Sequence, residues 1–201
     1  MKRQVRIQQL GGARATILHR PHANVMALTR QLHAIGLVVD EAWPELGPQA
    51  LAADFIFFDA DMGYDAQFPW AAGESPMPMI AMIGSEAPGR IEWSLQIGAH
   101  AQLLKPITGS GVYSAVLIAR DAFDRQRALA AQIADLKRRL DERQTVVRAV
   151  MQLAALGKTE AEAYDQLRRM AMSWQISIED AALRVVARYQ GGTDHGQRNR
   201  G

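Results

Sequence analysis

No cysteine occurs in these 201 residues. Disulfides, thiolate zinc sites and cysteine nucleophiles are therefore all excluded. No apolar run approaches the ~18 residues that a membrane-crossing helix needs, and the basic N-terminus MKRQVRIQQL has no apolar block of the signal-peptide kind. A cytoplasmic protein is the expectation. Catalytic signatures are missing too. Serine, histidine and aspartate are scattered without the spacing of a triad, no glycine-rich phosphate loop follows a strand, and GSGV (109–112) is a turn before a helix. No enzyme and no cofactor are expected. His19 and His22 share one loop but do not make a metal site, and a surface role is expected for both.

What is present is ordinary material for a folded soluble chain: 48% apolar and 22% charged residues. The formal charge of +2 hides an asymmetry. Residues 1–112 carry 8 Lys/Arg against 10 Asp/Glu, and residues 113–201 carry 15 against 11. A polyanion facing the C-terminal part would explain the excess, as would a solvated helical surface.

The first ~110 residues alternate apolar runs with amphipathic periods. ATILH (15–19), LVVDEAW (37–43), DFIFFD (54–59), PMIAMIG (78–84) and AQLLK (101–105) read as strands. DFIFFD is apolar on both faces, as the centre of a parallel sheet requires. NVMALTRQLHAIG (24–36) and PGRIEWSLQIG (88–98) read as helices, each ending near a glycine. Strands alternating with helices give an α/β fold, a doubly wound five-stranded parallel sheet. Trp43-Pro44 and the loop FPWAAGESPMP (68–78) place large apolar groups among turn residues, either as a docking surface or as a cap on the sheet.

From about Ser110 the pattern is continuous helix. Seam positions recur at spacings of three and four: Ala115, Ala119, Ala122, Gln126, Leu129, Ile133, Leu136, Leu140, Arg143 and Val147, small or apolar except at Gln126 and Arg143. That is a coiled-coil seam, strongest at Leu129, Ile133, Leu136 and Leu140, and it predicts a homodimer; packing of this helix on its own domain is the alternative. Gly157 ends the helix, and Thr159 with Glu162 forms a capping box for the next one. A break at 174–177 precedes a last helix at 178–189, and the polar, glycine-rich tail 191–201 is expected to be disordered.

The N-terminal segment order resembles a response-regulator receiver domain. By that resemblance Asp59, ending the third strand, occupies the phosphoacceptor position, and Lys105-Pro106 matches the Lys-Pro pair whose ammonium contacts the phosphoryl group. The acidic pair that holds Mg²⁺ after the first strand is replaced by His19-Arg20-Pro21-His22, and Gly84 stands where a Thr or Ser ends the fourth strand. Asp61 and Asp65 lie nearby but do not replace that acidic pair. The resemblance is thus to a pseudo-receiver, with Asp59 as a structural carboxylate; a phosphorylated Asp59 is the competing reading.

The C-terminal order is Arg143, Ala149, Leu153, then Ala163, Tyr164, Leu167, Arg168, Ala171, Met172, then Ile178 and Ala181. It resembles the ANTAR domain, a three-helix RNA-binding module, with AYDQLRRMAM (163–172) the closest match. Leu153, Leu156, Tyr164, Leu167, Met170, Ile178 and Ala181 are expected in its core. Ala149-Val150-Met151 stands where the family shows an Ala-Lys-Gly-like segment, so a basic residue is absent at 150. Arg143, Arg148, Lys158, Arg168 and Arg169 are the expected RNA contacts, with Trp174 or Tyr164 as a stacking platform.

The arrangement as a whole is a receiver-like domain (12–110), a long dimerisation helix (111–142) and an ANTAR module (143–190). It resembles the AmiR/NasT class of antiterminators. The resemblance implies binding to hairpins of a nascent leader RNA, with control by a periplasmic-binding-protein-like ligand sensor that sequesters the chain. A protein-interaction module that has lost RNA binding is a third reading, motivated by Val150.

Overall fold

The computed structural model describes residues 10–193. Five strands, β1 (Arg14–Leu18), β2 (Val38–Ala42), β3 (Phe55–Asp59), β4 (Met79–Ile83) and β5 (Ala101–Leu104), form one parallel sheet in the order β2-β1-β3-β4-β5. The fold class read from the sequence is therefore present. β3 and β4 are buried along their whole length, which is why their sequences carry no polar alternation.

Alternation within the strands builds two cores. Ala15, Ile17, Phe55, Phe57, Ile80 and Met82 face helix α1 (Ala23–Ile35) through Val25, Leu28 and Leu32. Leu18, Ile56, Phe58, Met79, Ala81 and Ile83 face the other side, toward helix α2 (Pro88–Ile97) through Ile97. Gly36 and Gly98 close α1 and α2 in the left-handed conformation, with φ of 94° and 97°, a region that glycine enters without steric cost.

Two crossovers contain no α-helix. The β2–β3 connection holds one 3-10 turn (Pro48–Ala52) and the β3–β4 connection another (Asp65–Gln67). Phe68 and Met77 are buried against the second core and Trp70 packs on it, with Phe68 and Phe58 edge to face at 5.4 Å. The loop 68–78 thus covers the sheet with aromatic plugs where a crossover helix would lie. Phe68 and Met77 are core and Trp70 packs on it, which is the cap alternative, while Pro69, Ala71, Ala72 and Pro76 stay exposed. Trp43 remains 42% exposed.

Helix α3 (Val112–Ala154) is continuous over 43 residues. The chain divides into two compact units at Ala128. Within the first unit, Val112, Ala115, Val116 and Ala119 of α3 join the α1-side core, and Arg120 lies over the Phe55 ring at 4.9 Å. Ala115 and Ala119, read from their spacing as the start of a seam, are spent on the chain's own sheet. Small residues at helical spacing permit close approach to a sheet as readily as to a second helix.

The second unit is a three-helix arrangement of the end of α3, helix α4 (Glu160–Trp174) and helix α5 (Ile178–Thr193). Ala149, Val150, Leu153, Ala163, Leu167, Ala171, Ala181, Ala182, Val185 and Val186 close its core. Thr159 Oγ1 accepts from the Glu162 amide while the Glu162 carboxylate accepts from the Thr159 amide, the capping box expected. Gln175 ends α4 in the left-handed region, and the Ser177 hydroxyl accepts from the Asp180 amide at the start of α5. The last helix runs to Thr193, past the expected end at 189; the rest of the expected tail lies outside the described residues. No helix among the described residues is long and apolar enough to cross a membrane.

Candidate functional site

Strand order reverses direction between β1 and β3, and the ends of these strands form the crevice in which open α/β sheets place ligands. His19 follows β1, Asp59 ends β3, and Lys105 follows β5. Lys105 Nζ donates to Asp59 Oδ1 at 2.7 Å, and His19 Nε2 lies 3.2 Å from Asp59 Oδ2. Asp59 and His19 are almost fully buried. Both oxygens of the phosphoacceptor-like carboxylate are thus engaged by the chain itself.

Asp61 sits beside them. Its Oδ2 lies 2.6 Å from Lys105 Nζ and accepts from the Gly84 amide at 2.8 Å, while its Oδ1 accepts from the Ser85 amide at 3.0 Å. Burial raises the pKa of its carboxyl, but the hydrogen bonds from Lys105, Ser85 and Gly84, with the charge of Lys105, outweigh that and hold it below the ordinary 3.8. A Cβ on Gly84 would stand 2.7 Å from Asp61 Oδ2. The glycine at the end of β4 is what lets this carboxylate enter.

The donor set does not fit Mg²⁺. That ion wants several carboxylate or water oxygens in octahedral array, and here the carboxylates of Asp59 and Asp61 are committed to Lys105, His19 and backbone amides. Nδ1 of His19 lies 2.6 Å from the Arg20 carbonyl and Nε2 faces Asp59, so both ring nitrogens are already turned toward oxygen atoms of the chain. His22 caps α1, its Nδ1 accepting from the Asn24 amide at 3.2 Å. Among the described residues, no group of three or more His, Asp or Glu side chains is arranged to hold a metal ion.

In the second unit, a cleft of about 620 Å³ is lined by Trp174, Arg184, Arg188, Tyr189 and Gln166 over a floor of Leu153, Met170 and Val185. The Arg184 guanidinium lies 5.5 Å from the Trp174 ring centroid. An aromatic face with a cation against it and a second arginine on the rim suits a splayed base and its phosphate. Of the RNA contacts expected from sequence, only Trp174 lines this cleft. Arg184, Arg188 and Tyr189 were missed; the signal was an i, i+4 arginine pair on α5, flanking the buried face of Ala181 and Val185.

Arg143, Arg148, Lys158, Arg168 and Arg169 all lie on exposed positions outside the cleft. Among the described residues, ion pairs in this unit are confined to Arg138 and Arg139 with Asp135 and Glu142. Lys158 Nζ donates to Gln166 Oε1.

Three expectations change here. Leu156 and Tyr164 are 59% and 45% exposed rather than core; Tyr164 borders an apolar groove with Val147 and Met151. Val150 is buried in the three-helix core. A lysine at 150 would meet apolar neighbours, so the missing basic residue does not remove a cation from the surface.

A family model described as AmiR, N-terminal matches residues 13–120, and one described as the ANTAR domain matches residues 134–186. The chain is 28% identical over 138 residues to the transcriptional regulatory protein PdtaR from two strains of Mycobacterium tuberculosis, an alignment covering 66% of this chain and 67% of that protein. Among solved structures, it is similar to a response regulator from Thermotoga maritima, with 17% identity, a TM-score of 0.43 and coverage of 54% of this chain and 98% of that one. The response regulator ChrA of a heme-sensing two-component system gives 19% identity, a TM-score of 0.43 and coverage of 90% and 99%. With the first model spanning more than half of its length and the second matching its three-helix unit, the chain belongs to the AmiR N-terminal family and carries an ANTAR domain.

Proposed function

We propose that this chain is an RNA-binding transcription antitermination regulator whose ANTAR unit binds hairpins of a nascent leader RNA. The observation that carries the reading is the Trp174–Arg184–Arg188–Tyr189 cleft, with exposed Arg143, Arg148, Arg168 and Arg169 outside the ion pairs of the same unit. Loop recognition needs this combination, since phosphates are met by arginine and unstacked bases by aromatic or guanidinium planes. Filter binding of a paired-hairpin leader RNA over a salt series tests it. Affinity falls steeply with salt if the arginines neutralise phosphates, and absence of binding at low salt removes the proposal.

Control by a sequestering, ligand-sensing protein partner of periplasmic-binding-protein type, rather than by phosphorylation, is part of the proposal. It is supported by the full engagement of both Asp59 oxygens and by a donor set unsuited to Mg²⁺. Incubation with acetyl phosphate and Mg²⁺ is expected to leave the intact mass unchanged. A stoichiometric phosphoryl adduct lost on Asp59→Asn would restore the phosphorylation reading.

A homodimer is the third element. Leu129, Ile133, Leu136 and Leu140 follow one another at spacings of four, three and four on α3 and are each 45–64% exposed, an arrangement a partner helix would cover. Leu136→Glu, which sets a charge into that seam, is expected to halve the mass seen by sedimentation equilibrium. An unchanged oligomeric state would place the interface elsewhere.

A further inference from the structure

The polar groups around the Trp174 cleft are mostly donors. Trp174 Nε1 and the guanidinium groups of Arg184 and Arg188 can only donate, while the Tyr189 hydroxyl can act either way. Gln166 of α4, half-buried, lines the same cleft. A free glutamine amide can present its oxygen or its nitrogen to a ligand, and here Lys158 decides between them. Lys158 Nζ donates to Gln166 Oε1. An ammonium has three donors and no acceptor, so the amide turns its oxygen, not its nitrogen, to the lysine. Lys158 is placed by the turn that joins α3 to α4. Its own amide donates to the Ala154 carbonyl at 3.1 Å, and the next residue, Thr159, caps α4. The neighbouring Glu162 carboxylate accepts from the Thr159 amide and hydroxyl, at 2.9 Å each.

We propose that Gln166, oriented by Lys158, selects the base that enters this cleft. Its Nε2 donates to an unstacked base with a carbonyl on its edge, guanine or uracil, in preference to adenine or cytosine. The latter two carry an exocyclic amine at the corresponding place. Over the apolar floor of Leu153, Met170 and Val185, an amine facing these donors is left without an acceptor, which costs more than a contact not made. Stacking on Trp174 tolerates any base, and phosphate contacts carry no sequence information. Selection therefore falls to the amide. The inference rests on the RNA reading above and adds to it the residue that chooses the base.

The test offers the full chain a pool of paired-hairpin RNAs with randomised loops at low salt, and the retained RNA is sequenced. One loop position is expected to favour guanine and uracil over adenine and cytosine by about 3- to 10-fold, the worth of one hydrogen bond. Gln166→Glu keeps the shape and the link to Lys158 but presents acceptors only, so the preference at that position is expected to reverse. Lys158→Met frees the amide to turn and is expected to level the preference there, with the other loop preferences kept. A general change of charge alters affinity for every loop alike and does not invert one position. Should Gln166→Glu not fold, Gln166→Leu removes the amide and is expected to level the same position. Retained RNA with no carbonyl-base preference in the unsubstituted chain, or with that preference unchanged in the variants, overturns this inference and leaves the RNA reading standing. No RNA retained by the unsubstituted chain overturns both.

Discussion

Lys105→Met is expected to destabilise the N-terminal unit by about 3–5 kcal/mol, the cost of stranding a buried charge by removing its partner. The lysine side chain is only 11% exposed, and its ammonium stands between Asp59 Oδ1 and Asp61 Oδ2, at 2.7 and 2.6 Å. Methionine keeps most of the aliphatic stem, so the loss reports charge rather than packing. Asp59, 3% exposed, would be left with His19 and the Asp61 amide, and Asp61 with two amides. Pairing the substitution with Asp59→Asn removes one of the stranded charges, and the double variant is expected to recover part of the loss. Urea unfolding in a Trp174→Phe background isolates the signal, because Trp43, Trp70 and Trp93 then report the first unit alone. A loss below about 1 kcal/mol would place Lys105 among weak surface pairs and contradict the buried arrangement.

Trp174→Ala is expected to weaken hairpin binding about 5- to 150-fold, the equivalent of one lost base stack at about 1–3 kcal/mol. The slope of affinity against salt should not change, since no charge is removed. Arg184→Gln is expected to do both: weaken binding and reduce the salt slope by about one counterion. The split between these variants separates stacking from phosphate neutralisation in a cleft where the two groups lie 5.5 Å apart. Trp174 is exposed at the end of α4, outside the core of its unit, so melting of the second unit should barely move. Unaltered RNA affinity in both variants would move the interface to another face.

Much of this architecture was legible because it rests on short-range physics. Fully apolar runs marked β3 and β4, glycines marked the ends of α1 and α2, and Thr159 with Glu162 marked the start of α4. The misreadings have a common cause, which is that tertiary partners decide what a local pattern is for. Ala115 and Ala119 have seam spacing but meet a sheet. The loop 68–78 stays open between docking surface and cap on sequence alone, and only packing shows Phe68 and Met77 delivered to a core. Val150 occupies a helix position whose direction no linear pattern reveals until α4 and α5 are packed against it.

The same holds for the sites. Asp59 and Lys105 stood out by position, whereas Asp61 did not, because its role depends on amides 23 and 24 residues away and on the missing side chain of Gly84. Arg184 and Arg188 were not singled out by sequence at all; only packing sets Trp174 and Tyr189 beside them. Where a residue acts through groups distant in sequence, composition and periodicity supply the candidate but not its partner.

The most direct check of the central claim is equilibrium binding of the full, unphosphorylated chain to the paired-hairpin leader RNA of its own operon, measured from low to physiological salt. The account predicts specific binding without any phosphodonor, with log affinity falling linearly against log salt as several phosphate contacts are released. Binding that appears only after treatment with a phosphodonor, or no binding even at the lowest salt, would contradict it.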